Sequence, residues 1–125
     1  GRTVYVSNSG GSTITPIDTA TNDTEPTLLV TGQAYGLALS QDGRTLWVSP
    51  SNGDTVTPMD TVTGAPAKRI TVGKSAFDIA LNWNGTKAYV TTADENALVQ
   101  IDTASSTAGP SYTTGAYPLA ATVTP

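Results

Sequence analysis

The segments Gly1-Arg2-Thr3-Val4-Tyr5-Val6-Ser7, Gly43-Arg44-Thr45-Leu46-Trp47-Val48-Ser49 and Gly85-Thr86-Lys87-Ala88-Tyr89-Val90-Thr91 begin at positions 1, 43 and 85, so the 125-residue chain repeats itself three times with a period of 42. A fixed period of this length makes each unit one supersecondary piece, unable to bury its apolar face alone, that must stack on the next. The units run 1–42, 43–84 and 85–125.

Within a unit the apolar residues alternate with polar ones, the period that places side chains on opposite faces of a strand. The first unit predicts strands at 3–7, 13–18, 27–30 and 36–40, and the other two read the same way. Turn chemistry falls in register between them. Hairpin tips lie at 8–11, 51–54 and 93–96, and Asp18-Thr19, Asp60-Thr61 and Asp102-Thr103 close the second strand of each unit. Such side chains hydrogen-bond backbone amides one or two residues on, so their threefold recurrence argues a structural role. Asp42-Gly43 and Asn84-Gly85 suit the positive φ of a tight hairpin. With no helix signal, the expected fold is all-β: β-propeller blades of four antiparallel strands, three repeats per chain.

Composition excludes several functions. Ten acidic residues against six basic ones give a net charge of −4, with no basic stripe to attract a phosphate backbone, so nucleic acid is not an expected partner. The chain has no cysteine and no histidine. That removes disulfides, thiolate metal sites, the usual general base near neutral pH and the commonest neutral metal ligand. No nucleophile elbow, phosphate loop or dinucleotide fingerprint is present, and neither a cofactor nor a bound metal is expected. No apolar run approaches the roughly 20 residues that span a bilayer, so membrane insertion is not expected. No charged-then-apolar leader opens the chain, so an exported parent would carry its signal elsewhere. Asn22-Asp23-Thr24 and Asn84-Gly85-Thr86 match a glycosylation acceptor pattern, which matters only in a suitable secretory host.

Tyr5-Val6-Ser7-Asn8, Ile17-Asp18-Thr19-Ala20-Thr21, Ala38-Leu39-Ser40-Gln41-Asp42-Gly43 and Val72-Gly73 resemble the YVTN β-propeller repeat, and the resemblance covers the whole chain. Trp47 replaces the repeat's tyrosine, Asn82-Trp83-Asn84 its usual Ser-Pro-Asp, and the third unit ends at Thr124-Pro125 without Asp-Gly. The resemblance implies a bacterial or archaeal protein, often at the cell envelope, extracellular, on the surface or periplasmic, with a binding role. It also implies that the strand before Asp-Gly lines a central channel and that the Tyr-Val strand follows it outward. Tyr5, Trp47 and Tyr89 then belong to the core between blades.

On that map the chain opens with outer strands that lack an inner one and closes on an inner strand at 118–123. Both are free sheet edges, which recruit a compatible neighbour, so the terminal strand is expected to complete a partner chain's blade. Propellers have about 4–8 blades; two copies make six and three make nine, which favours a homodimeric ring over a homotrimer.

The channel mouth on this map gathers Gln33, Tyr35, Lys74, Phe77 and Tyr117 ahead of the inner strands, with Asn8, Asn52, Asp54, Asp94 and Glu95 after the Tyr-Val strands. Asp94-Glu95 is the one adjacent acidic pair. With Asp54 it offers carboxylates to a hard cation or a ligand, or else forms a solvated hairpin tip. Tyr35, Phe77 and Tyr117 make either a stacking platform for a glycan or peptide or packing between blades. Lys74 and Asp78 are candidates for an ion pair, in a pocket or at the surface; Trp83 lies at the opposite mouth. The expected function is a noncatalytic binding scaffold for a protein, peptide or glycan that assembles with itself. The alternatives are a hydrolase or lyase at the channel mouth and a purely structural, excised or engineered self-assembling fragment.

Overall fold

The structure is a computed structural model that describes residues 1–51 and 53–125. It is all-β, with ten strands in two antiparallel sheets among the described residues. In chain order these are β1 (Thr3–Asn8), β2 (Thr13–Asp18), β3 (Leu28–Leu29), β4 (Ala34–Leu39), β5 (Thr45–Pro50), β6 (Gly53–Asp60), β7 (Ile70–Leu81), β8 (Lys87–Thr92), β9 (Ala97–Asp102) and β10 (Thr107–Thr113). The first sheet is β1-β2-β3; the second runs β10-β9-β8-β7-β6-β5-β4. The hairpin tip expected at 93–96 is a single 3₁₀ turn, Ala93–Glu95, closed by Asn96 in the left-handed region.

β7 serves two neighbours in succession. Its start pairs with β6 through Val56↔Ile70 and Thr55↔Thr71, and its end pairs with β8 through Ile79↔Val90, Ala80↔Tyr89 and Leu81↔Ala88. Between them the backbone turns at Gly73 (φ 129°) and Ser75 (φ 55°). The sequence predicts two strands here; the chain makes one, bent at the residue that tolerates positive φ.

Two apolar clusters hold the layers together. Ile14, Ala34, Leu46, Val48 and Met59, with Tyr5, Leu28, Val30 and Leu37 against them, fill the space between the first sheet and the start of the second. Trp47, Val56, Ile70 and Val72 meet Ala76, Ile79, Ala88, Val90, Val99 and Ile101 across the bend in β7. β5 therefore buries both faces, Leu46 and Val48 on one side and Trp47 on the other, and each such side chain contributes about 1.5–3 kcal/mol. Tyr5 and Trp47 accordingly lie in the cores between units, and Tyr89 is half-buried.

The recurring turn residues act as expected. Asp18 Oδ1 accepts from the amides of Ala20 and Thr21 at 2.7 and 3.2 Å, Asp60 Oδ1 from those of Val62 and Thr63 at 2.8 Å, and Asp102 Oδ1 from that of Ser105 at 3.0 Å. The adjoining threonines lock the far strand, with Thr19, Thr61 and Thr103 hydroxyls donating to the carbonyls of Gly1, Gly43 and Gly85. Gly43 and Gly85 take φ near +70°. The departure at 82–84 is chemically conservative: Asn82 Oδ1 accepts from Lys87 N as Ser40 Oγ accepts from Thr45 N, both at 2.9 Å.

Residues 118–123, read as an inner strand, form no strand with the rest of the chain. They lie along β7 and β8, where Thr91 Oγ1 donates to the Leu119 carbonyl at 3.5 Å and Ala121 N donates to Asp78 Oδ2 at 3.0 Å. The first of these belongs to a series. Ser7 Oγ donates to the Tyr35 carbonyl, Ser49 Oγ to that of Phe77 and Thr91 Oγ1 to that of Leu119, each pair 28 residues apart and each 42 beyond the last.

Candidate functional site

The start of β4, the part of β7 beyond its bend and the segment after β10 bring Tyr35, Phe77 and Tyr117 into one row. The Tyr35 and Phe77 rings meet edge to face with centroids 5.2 Å apart, and Phe77 and Tyr117 lie 6.2 Å apart, tilted at 58°. Edge-to-face geometry is the one that aromatic quadrupoles prefer, so the rings pack on each other. Both outer rings remain exposed and Phe77 is half-buried. Tyr117 joins the row from two positions ahead of the strict repeat, where Leu119 stands. It does so because it takes φ +55°, like Ser75 in the preceding unit, while its amide donates to Asn96 Oδ1 at 2.9 Å.

Asp54, Lys74 and Asp94 come together, with Gly53 and Ser75, around one open polar hollow. The two acidic neighbours separate. Asp94 Oδ2 accepts from the Ser75 hydroxyl, whereas Glu95 Oε1 accepts from the Lys74 amide at 3.2 Å and its carboxylate sits against Gly73. Both brace the bend in β7. Asn8 is turned into its own hairpin, its Nδ2 donating to the Thr13 and Thr15 hydroxyls at 3.1 and 2.9 Å. Gln33 is exposed, with its carbonyl held by Ser51 N. Asn52 lies outside the described residues.

The Lys74–Asp78 ion pair does not form: Asp78 turns to Ala121 N, and the ion pair found among the described residues is Lys87–Asp102 at 3.0 Å. Trp83 is exposed. The carboxylates with altered acidity stand at the turns. Backbone amides hold Asp18 and Asp60 below the usual carboxylate value, and the Ser40 hydroxyl, then the Arg44 amide, do the same for Asp42. At Asp102 the Ser105 amide, then Lys87 and the Ser105 hydroxyl, lower it to about 2.

A second concavity escaped the sequence reading. It lies between the first sheet and β6, and Met59, Val48 and Arg69 are among the residues lining it. Its lining comes from two units, so no local pattern announces it.

Fold and site together define an all-β protein of stacked antiparallel sheets with an aromatic row bordered by polar groups. No family model matches the chain, and no curated protein does. Among solved structures it is similar to Kuenenia stuttgartiensis hydrazine synthase, with a TM-score of 0.87 and 29% identity over 94% of this chain. The matched region is 34% of that chain, so this protein spans about a third of its neighbour's length.

Proposed function

We propose that the protein is a noncatalytic β-propeller module, a rigid interaction scaffold whose end surfaces join those of a second copy into a closed ring of six blades. One observation carries this reading. Val4 and Val6 are 49% and 40% exposed, whereas their counterparts 42 residues on, Leu46 and Val48, are 1% and 4% exposed, and Ala88 and Val90 are fully buried. Every unit thus has an apolar face built for the unit before it, and the first has nothing against that face. The opposite end is the complement: Tyr112 is exposed where Ile70 is buried, and Tyr89 is half-buried where Trp47 is buried.

The repeat also specifies a register. β4 and β5 pair Leu37↔Val48, Ala38↔Trp47 and Leu39↔Leu46, and β7 and β8 pair the residues 42 further along. The same step pairs Ala121, Thr122 and Val123 of one copy with Val6, Tyr5 and Val4 of the next. A head-to-tail contact of this kind closes when its rotation closes. The aromatic row and its polar border are the surface offered to a peptide, glycan or protein ligand. The chain supplies neither histidine nor cysteine for chemistry there, and Asp94 and Glu95 are occupied with Ser75 and Lys74. A setting at the cell surface or in the periplasm follows from the repeat resemblance.

Light scattering on the eluting protein tests the assembly. A mass of two chains is expected, falling to one chain in the double variant Val4→Lys, Val6→Lys with its strand spectrum unchanged. A wild-type protein that stays a single chain at every concentration overturns the reading.

A further inference from the structure

The concavity between the first sheet and β6 has a volume of about 250 Å³, and none of the described mouth residues lines it. On one side stands β3, only two residues long, with the chain held beside β2 for one residue more as Val30 N donates to Ser12 O. Opposite, residues 66–69 run beside β6, held by the Met59↔Pro66 bridge and the bond from Ala67 N to the Pro58 carbonyl. The space left between these two segments is the cavity.

Its chemistry is uneven. Buried Ala34, Val48 and Met59 line it, and Leu29 and Pro66 add apolar surface. The polar lining residues are Thr31, Thr55 and Thr57 together with Arg69, which is exposed at its rim. No acidic residue lines it, and no carboxylate among the described residues lies within ion-pair distance of Arg69. In a chain of net charge −4, a guanidinium left without a counter-ion beside an apolar hollow is complementary to one kind of guest. Arginine's fixed fork of donors matches a carboxylate in two parallel bonds. Small-molecule sites combine an apolar lining with a few converging polar groups in this way, at about 300–1,000 Å³ for drug-sized ligands. A cavity slightly below that range takes a smaller molecule.

We propose that this cavity binds a small organic carboxylate with an apolar body, of the size of hexanoate or benzoate. The body lies against Met59 and Val48, and the carboxylate meets Arg69 and the threonine hydroxyls. The cavity is formed within one chain, so the proposal does not depend on ring closure.

The chain has one methionine, so protein labelled with ¹³C in the methionine methyl gives one resonance, and it reports on the cavity. Titration with hexanoate is expected to shift it saturably. Hexanol on the wild type and hexanoate on Arg69→Gln should each bind about tenfold more weakly, since a charge-assisted bidentate contact is lost. Leu29 is exposed, so Leu29→Asp spares the fold while placing a like charge at the rim, and it should abolish the shift. A resonance unmoved by hexanoate overturns the proposal. So does hexanol binding as tightly as hexanoate, or Arg69→Gln binding like the wild type, because either result removes the anion recognition.

Discussion

Gly36 and the Asp-Thr corners show what a single residue does here and how far it can be read in advance. A Cβ on Gly36 would stand 2.8 Å from Asp78 Cα and overlap Ser49 Oγ. Gly36→Ala should therefore cost about 1–3 kcal/mol through forced displacement of neighbouring backbone, measured by urea unfolding; an unchanged midpoint would show that β4 and β7 do not need this approach. The sequence marks Gly36 only as a strand residue, because its constraint comes from Ser49 on the paired strand and from Phe77 and Asp78, 41 and 42 positions away. The corners were legible because Asp18, Asp60 and Asp102 bind amides two or three residues on. Their acidity carries a pH dependence. The folded-state pKa values are depressed, to about 2 at Asp102, so the stability they confer is complete above the unfolded value near 4 and is lost as pH falls toward about 2. Thermal midpoints should drop across that window, and Asp102→Asn should lower the midpoint at pH 6 and by far less near pH 2. A variant as stable as wild type at pH 6 would deny Asp102 this role.

β7 is the element on which local patterns mislead. The repeated alternation predicts two separate strands here; the chain instead runs 12 residues in one bent strand. What lets it stay continuous is tertiary: the Glu95 carboxylate receives Lys74 N and the Asp94 carboxylate receives the Ser75 hydroxyl, so an adjacent acidic pair that reads as a ligand site braces the bend. Type and order of strands were therefore legible, and the purpose of Asp94 and Glu95 was not, since it depends on which loop lies opposite. Glu95→Ala should accelerate hydrogen exchange at the Lys74 amide and leave the Ile79 amide protected. Equal protection of Lys74 in both proteins would return Glu95 to the status of a solvated tip. At Gly73 the φ of 129° is open to glycine alone, so Gly73→Ala should cost at least about 1 kcal/mol in the same unfolding assay.

At the scale of the molecule the decisive quantity is the contrast between identical positions in successive units. Leu46 is buried between two sheets and Val4, its counterpart, is half open to solvent. Alternation in the sequence identifies both as apolar-face residues, and only the fold tells which of them has a neighbour. Truncation should separate them. Leu46→Ala removes contacts inside one chain and should cost about 2–5 kcal/mol at any protein concentration. Val4→Ala removes almost nothing from the isolated chain, yet it trims the face that the next copy covers. Association that engages the folded form alone makes the melting temperature climb with concentration. The wild type should therefore melt higher as it is concentrated, Val4→Ala should flatten that climb, and Leu46→Ala should lower the curve while keeping its slope. Parallel curves for wild type and Val4→Ala would mean that the open valine face has no partner in a second copy, and the six-blade ring would fall with it.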